Sequence, residues 1–385
     1  MKYLDAYRDP RATRDLLDEI RRTISRPRTL LEVCGGQAQN LIRFVTDRSL
    51  PEGLEVHHGP GCPVSAFPTD LIARAVMLAS EPDVILCTPG DLLGVPAGRD
   101  SLALARGRGG DVRLVYSPLD ALALARKHPS RTVVVLAVGY ETTAPAAAAA
   151  VVEADRSGLE NFALLPGLFR HVPVVEAVLA GAPGRSRGVL VSGPVCAVTG
   201  IRGYESLAER FGVPIVVTGP EPVDLLEGIL RAVRQLERGT HEVENQYTRA
   251  VKPEGNPQAI GSIDAVFEAS DAGWRGLGRL ARSRLVLREA FRRFDAASRF
   301  PSSIATLFES SECRDGEVLS GRIKPNACPA FGTRCTPEHP LGAAMVSAEG
   351  PCSAYYRYRR PTENPDENPV AASSLVVLPA HVSPG

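Results

Sequence analysis

The chain has 385 residues and a mass of 41.1 kDa, with 44% hydrophobic and 23% charged residues, enough for two or three globular domains and too much for one small module. Its 44 Lys and Arg balance its 44 Asp and Glu, so net charge favours neither nucleic acid nor an anionic membrane as partner. The first 22 residues carry charges throughout, and no apolar stretch approaches the length of a membrane span, so the sequence reads as cytoplasmic, without a secretory leader.

In chain order, a charged helix within residues 1–28 is expected to pack with the C-terminal domain. Runs rich in Val, Ile and Leu at 30–33, 84–86, 112–116, 132–138, 188–191 and 214–217 read as buried strands of parallel sheets. Helical patterns lie between or after them at 39–46, 70–78, 119–127, 146–154, 174–180 and 223–238. Alternating strands and helices predict an α/β fold with right-handed crossovers, divided into a first α/β domain over 29–128 and a second over 129–236. The alternation stops near Arg238. Residues 237–358 read as a mostly helical and loop-like domain holding four of the eight cysteines, and 359–385, studded with prolines, as a mobile tail.

Ligands of such sheets sit outside the carboxyl ends of the strands. Here the strands run into Cys34-Gly35-Gly36, Cys87-Thr88-Pro89-Gly90-Asp91, Gly139-Tyr140-Glu141, Ser192-Gly193-Pro194-Val195-Cys196 and Thr218-Gly219-Pro220-Glu221. Cys34 would stand at a helix N-terminus, where the dipole and free amides favour thiolate, or else fill a strand end as a small hydrophobe. Cys62 sits in the rigid turn Gly59-Pro60-Gly61-Cys62-Pro63, which suggests presentation of its sulfur. Glu141 and Glu221 follow strands and could accept protons or bind a ligand; an N-cap or first-turn acid is the simpler role for each. Cys87 and Cys196 read as filler. The seven histidines form no ligand set, and residues 106–110 match no phosphate loop.

Cys313, Cys328, Cys335 and Cys352 are separated by 14, 6 and 16 residues within a turn-rich segment. Four such thiolates could close around a zinc ion or an iron–sulfur cube, or be unrelated buried cysteines; spacing alone does not choose.

Glu32-Val33-Cys34-Gly35-Gly36, Gly59-Pro60-Gly61-Cys62-Pro63-Val64, Pro89-Gly90-Asp91-Leu92, residues 139–145, Glu221-Pro222-Val223-Asp224, Val243-Glu244-Asn245-Gln246-Tyr247 and the late segment around Cys335 and 346–352 together resemble the HypD family of hydrogenase maturation factors, from about Tyr3 to Tyr358. The resemblance implies two Rossmann-like parallel-sheet domains and a third domain with a [4Fe-4S] cluster on Cys313, Cys328, Cys335 and Cys352. It implies Cys34 as holder of an Fe(II) being converted to the Fe(CN)2CO unit of [NiFe] hydrogenase, and Cys62 as a second sulfur. Glu141 and Glu221 would line the cleft between the domains. A HypC-like chaperone and a HypE-like cyanide donor are the implied partners. Two strings depart from the family pattern. CGGHTH is Cys34-Gly35-Gly36-Gln37-Ala38-Gln39 here, and CPVC is Cys62-Pro63-Val64-Ser65, so two imidazoles and one thiol of the usual relay are missing.

Overall fold

A computed structural model describes residues 5–45, 49–181, 187–301 and 310–359. The expected tail, from residue 360 on, lies outside the described residues.

Among the described residues eleven strands build two sheets. They are β1 (Arg28–Val33), β2 (Leu54–His58), β3 (Val84–Thr88), β4 (Val112–Leu114), β5 (Thr132–Gly139), β6 (Phe162–Phe169), β7 (Arg187–Ser192), β8 (Ile215–Thr218), β9 (Val243–Asn245), β10 (Phe267–Trp274) and β11 (Gly278–Leu287). The first sheet, in the order β2-β1-β7-β8-β9, is parallel throughout. The second, β10-β11-β6-β5-β3-β4, is parallel except for the antiparallel hairpin β10–β11, which adds itself to β6. The α/β class with two Rossmann-like sheets is therefore as the sequence suggests.

The chain visits the sheets in a different order from that expected. After β2 it leaves the first sheet, lays down β3 to β6 in the second, and returns for β7 to β9. The contiguous ranges 29–128 and 129–236 thus do not coincide with the sheets: β1 pairs with β7 across more than 150 residues, Leu30 facing Gly188. Strand patterns reveal burial but not the partner, so chain order was the wrong guide. The region after Arg238, expected to be mostly helical and loop-like, also contains β9 and the β10–β11 hairpin. Hairpin strands with exposed residues such as Glu268, Asp271 and Arg282 lack the continuous apolar run that marks a parallel strand.

Side chains alternate between two apolar layers on each sheet. Leu30, Leu190 and Val216 pack under helices Pro10–Thr23 and Pro222–Arg238, whereas Leu31, Val189 and Val217 meet helices His171–Ala180 and Arg202–Phe211. Helix Pro10–Thr23 packs chiefly on helix Pro222–Arg238, while Tyr7 ahead of it meets Arg249 within the 237–358 range. Leu17 and Ile20 bury against Leu226, Ile229 and Val233 of Pro222–Arg238, and Arg234 pairs with Glu19.

Candidate functional site

In the first sheet the chain steps outward from β1 to β2 on one side and from β7 to β8 on the other, so the carboxyl ends of β1 and β7 flank a topological switch point, where ligands of open α/β sheets bind. Cys34 follows β1 there, as the N-cap of helix Gly35–Phe44, and Ser192 ends β7. The Ser192 hydroxyl and the Gln37 N–H point to the Cys34 sulfur, but burial and the adjacent Glu32 carboxyl outweigh them and push the thiol up to about 12. The thiolate-favouring environment expected at this helix end is overridden by desolvation, because Cys34 is only 8% exposed.

The turn holding Cys62 lies against Cys34. A Cβ at Gly61 would overlap the N, Cα and C of Cys34, and one at Gly35 would lie 3.0 Å from the Cβ of Cys62. Only glycines at these two positions let the strands of backbone meet. The Cys62 sulfur is buried beside the Ser65 and Ser347 hydroxyls, which partly offset the upward push of desolvation. Ser65 is itself fully buried. Cys62 is thus shielded by the 347–350 loop rather than presented to solvent.

The second sheet contributes from its own strand ends. Tyr140, after β5, donates its hydroxyl to the Pro60 carbonyl. His171, after β6, lies fully buried with Nε2 2.8 Å from the Val33 carbonyl and Nδ1 2.7 Å from the Tyr204 hydroxyl. Burial lowers its pKa to about 4, so the ring is neutral. A carbonyl can only accept, which assigns the proton to Nε2 and leaves Nδ1 to accept from Tyr204. The Glu141 carboxylate accepts the His171 backbone N–H at 3.1 Å. Asp91, after β3, accepts from the Ser347 hydroxyl at 3.2 Å, tying the loop that carries Glu349 to this edge. Glu349 is exposed, yet its Oε2 lies 2.7 Å from where a Gly35 Cβ would be, beside both thiols.

The structure therefore gathers Cys34, Cys62 and Glu141 at one junction between the sheets and leaves Glu221 out. Glu221 caps helix Pro222–Arg238 and pairs with Arg8. The string around it meets the string around Tyr247: Asp224, fully buried, accepts both Arg249 nitrogens at 2.7 and 2.6 Å and Gln246 at 3.0 Å, while the Arg249 guanidinium lies between the rings of Tyr7 and Tyr247. These residues fasten the N-terminal segment and the helix start. Glu32, His171, Ser192 and Glu349 were missed by sequence reasoning. Glu32 and Ser192 each begin a string quoted from the sequence, with no role given to them, but His171 follows β6, a strand not recognised because Pro166 and Gly167 interrupt its apolar run.

Gln37, where the family pattern has histidine, is fully buried and donates through Nε2 to the Val191 and Thr218 carbonyls at 3.2 and 2.6 Å. It clamps the ends of β7 and β8 beneath Cys34. Gln39 is half-buried. Among the other cysteines, Cys87 is sealed within β3 and Cys196 within helix Gly193–Thr199, as filler would be.

Burial pushes Glu141 up to about 7. Its neutral form is favoured on folding, so the stability it contributes is complete below the ordinary carboxyl pKa near 4.3 and is lost as pH rises through 7. Glu141→Gln should abolish that slope and leave the variant more stable than the parent by up to ~3 kcal/mol at pH 8, with little difference at pH 4, in urea unfolding at the two pH values.

Cys313, Cys328, Cys335 and Cys352 line one small cavity, closed by Val318, Ala330, Phe331 and Met345, with Asp315 at its wall. The Leu341 N–H donates to the Cys335 sulfur at 3.4 Å, and Gly342 passes so close to Cys313 that a side chain there would strike its sulfur. Four thiols, a backbone amide donor and an apolar wall fit an iron–sulfur group in donor type and surroundings. Among the described residues no three His, Cys, Asp or Glu side chains stand close enough to share a single ion.

The family model for HypD, described as "Hydrogenase formation hypA family", matches residues 11–359. This chain belongs to the HypD family. It is 41% identical over 370 residues to the hydrogenase maturation factor HypD of Rhodobacter capsulatus, covering 93% of this chain and 98% of the relative. It is 40% identical over 368 residues to HypD of Escherichia coli K12, covering 94% and 99%, and 42% identical over 369 residues to the hydrogenase expression/formation protein HupD of Azotobacter chroococcum mcd 1, covering 94% and 97%. Among the described residues no helix of this HypD-family chain is long and apolar enough to cross a membrane.

Proposed function

We infer that this HypD-family chain is a hydrogenase maturation factor of the cytoplasm. In this reading Cys34 holds the Fe(II) being converted to the Fe(CN)2CO unit, Cys62 is a second sulfur, and a HypC-like chaperone and a HypE-like cyanide donor are partners. The observation that supports it most is the meeting of the Cys34 and Cys62 loops at the switch point, with Glu349 facing solvent beside them. Thiolate sulfur is a suitable anchor for low-spin Fe(II) carrying strong-field ligands.

A [4Fe-4S] cluster on Cys313, Cys328, Cys335 and Cys352 belongs to the same reading. A tetrahedral zinc site draws four sulfurs to about 2.3 Å from one point, whereas a cube takes one thiolate per iron, and the wider spread of this quartet suits the cube. When bound, the cluster would supply single electrons.

Releasing cyanide from a thiocyanate-type carrier takes two electrons and two protons, R–S–CN giving R–SH and HCN. Oxidation of two thiols to a disulfide yields both. With Ser65 in place of the family's second turn cysteine, Cys34 is the thiol that adjoins Cys62, and the pair Cys34–Cys62 replaces the usual dithiol in the iron-free protein, as the alternative to anchoring Fe(II), because a sulfur tied in a disulfide cannot hold iron. Mild oxidation of the purified protein should then give a Cys34–Cys62 crosslink by peptide mass spectrometry, absent in Cys62→Ala. In a strain lacking its own HypD, the parent should restore hydrogenase activity and Cys34→Ala should reduce it more than a hundredfold. Rescue that survives Cys34→Ala removes the iron anchor; rescue only by Ser65→Cys removes the substitute dithiol.

A further inference from the structure

The segment that carries Cys62 hangs between the two sheets. At its start the Gly59 N–H is bonded to the Glu32 carbonyl of β1. From there on the second sheet holds it. Tyr140 donates to the Pro60 carbonyl, and Arg275, which follows β10, donates its backbone N–H to the Ala66 carbonyl at 3.3 Å and its Nε to the Phe67 carbonyl at 3.2 Å. The Phe67 ring then packs edge to face on Phe169 of β6, 5.8 Å between centroids. Cys34, by contrast, continues β1 of the first sheet. The two sulfurs are thus carried by different halves of the molecule, and their separation depends on what ties one half to the other.

Two rings make that tie at the junction itself. Tyr140 follows β5 and His171 follows β6, adjacent strands of the second sheet. Tyr140 reaches the carbonyl two residues before Cys62, and His171 Nε2 reaches the carbonyl immediately before Cys34, at 2.8 Å. The rings touch edge to face, with centroids 5.1 Å apart and planes at 74°. Each is also held from behind. Trp274 lies 6.3 Å from the Tyr140 ring, and His171 is fixed by the Tyr204 hydroxyl at 2.7 Å and by its own backbone N–H on Glu141. Both side chains are buried, so close packing leaves them one rotamer and each hydrogen bond sets the place of one carbonyl.

We propose that Tyr140 and His171 are positioning residues of the thiol junction, holding the Pro60 and Val33 carbonyls at one fixed separation and so setting Cys62 in register with Cys34. This rests on the reading of the two cysteines as a dithiol. A disulfide closes only when the two Cβ atoms stand roughly 3.5–4.5 Å apart, so a loop freed to move by about 1 Å spends less of its time in range.

The test follows the Cys34–Cys62 crosslink by peptide mass spectrometry in the full chain, without added iron, as oxidised glutathione takes up two electrons and two protons and leaves the disulfide. Tyr140→Phe keeps the ring and removes only its bond to Pro60; it should slow the crosslink at least fivefold. His171→Leu should slow it at least tenfold, and His171→Gln, which still offers an N–H to Val33, should return it to within threefold of the parent. Val151→Ala, in helix Ala144–Arg156 on the opposite face of the second sheet, loosens the same sheet away from the junction and should crosslink at the parental rate although its urea midpoint falls. Parental rates in Tyr140→Phe and His171→Leu overturn the proposal, as does an equal slowing in Val151→Ala, which would make the effect one of general loosening. If His171→Leu does not fold, Tyr140→Phe against Val151→Ala decides. A parent that forms no crosslink removes the dithiol reading and this proposal together, whereas a parent that crosslinks beside variants that match it removes this proposal alone.

Discussion

Gly61→Ala is expected to lower stability by about 4 kcal/mol or more and to separate the Cys62 turn from Cys34. The added methyl would fall inside the backbone of Cys34, not against the end of a flexible side chain. That backbone has little freedom to yield. The Cys34 N–H donates to the Glu32 carboxylate, the Gly59 N–H is bonded 2.6 Å from the Glu32 carbonyl, and His58 Nδ1 lies 3.1 Å from the other Glu32 oxygen. Moving the turn away would break this set. Gly90→Ala, where nothing lies within 4 Å of the new methyl, is the matched control and should change stability by less than about 0.5 kcal/mol. Urea unfolding gives the stabilities, and loss of the oxidative Cys34–Cys62 crosslink in Gly61→Ala would report the separation. A crosslink that forms as readily as in the parent would mean that the turn does not position Cys62.

The second large effect concerns the quartet. Protein purified without oxygen should be brown and carry about four iron atoms per chain. Cys335→Ser should lose more than nine-tenths of that iron, because Cys335 is the sulfur held by the Leu341 amide and a hydroxyl is a poor ligand for this soft metal. Cys87→Ser, within β3 and outside the quartet, should keep its iron. Colourless protein with one zinc per chain would replace the cluster with a structural ion. Iron retained by Cys335→Ser would take that residue out of the ligand set.

Much of the fold was legible because parallel strands buried on both faces announce themselves as continuous apolar runs, as in β3 and β5. Where that signature was broken, reading failed: β6 contains Pro166 and Gly167, β2 mixes Glu55 with two histidines, and the β10–β11 hairpin carries exposed residues along both strands. Cys62 was legible by the rigid turn that carries it, and Cys34 and Glu141 were legible as strand-end residues, since an open sheet delivers those ends to one rim. Glu221 was legible by the same rule, yet its pairing with Arg8 depended on where the N-terminal segment lands, which no local pattern contains. His171 and Glu349 belong to the site through contacts across 138 and more than 300 residues of chain, to Val33 and Gly35, and were invisible for that reason.

The passage of the chain out of the first sheet and back again bears on biosynthesis. A ribosome that has released residues 28–58 has exposed two strands whose neighbours, β7 to β9, are still unmade, and the second sheet waits in turn for β11. Neither half can mature as an autonomous N-terminal unit, so the nascent protein must hold unpaired edges open until nearly three-quarters of it has been translated. Such late closure favours slow, cooperative folding of both halves together and dependence on chaperones during synthesis.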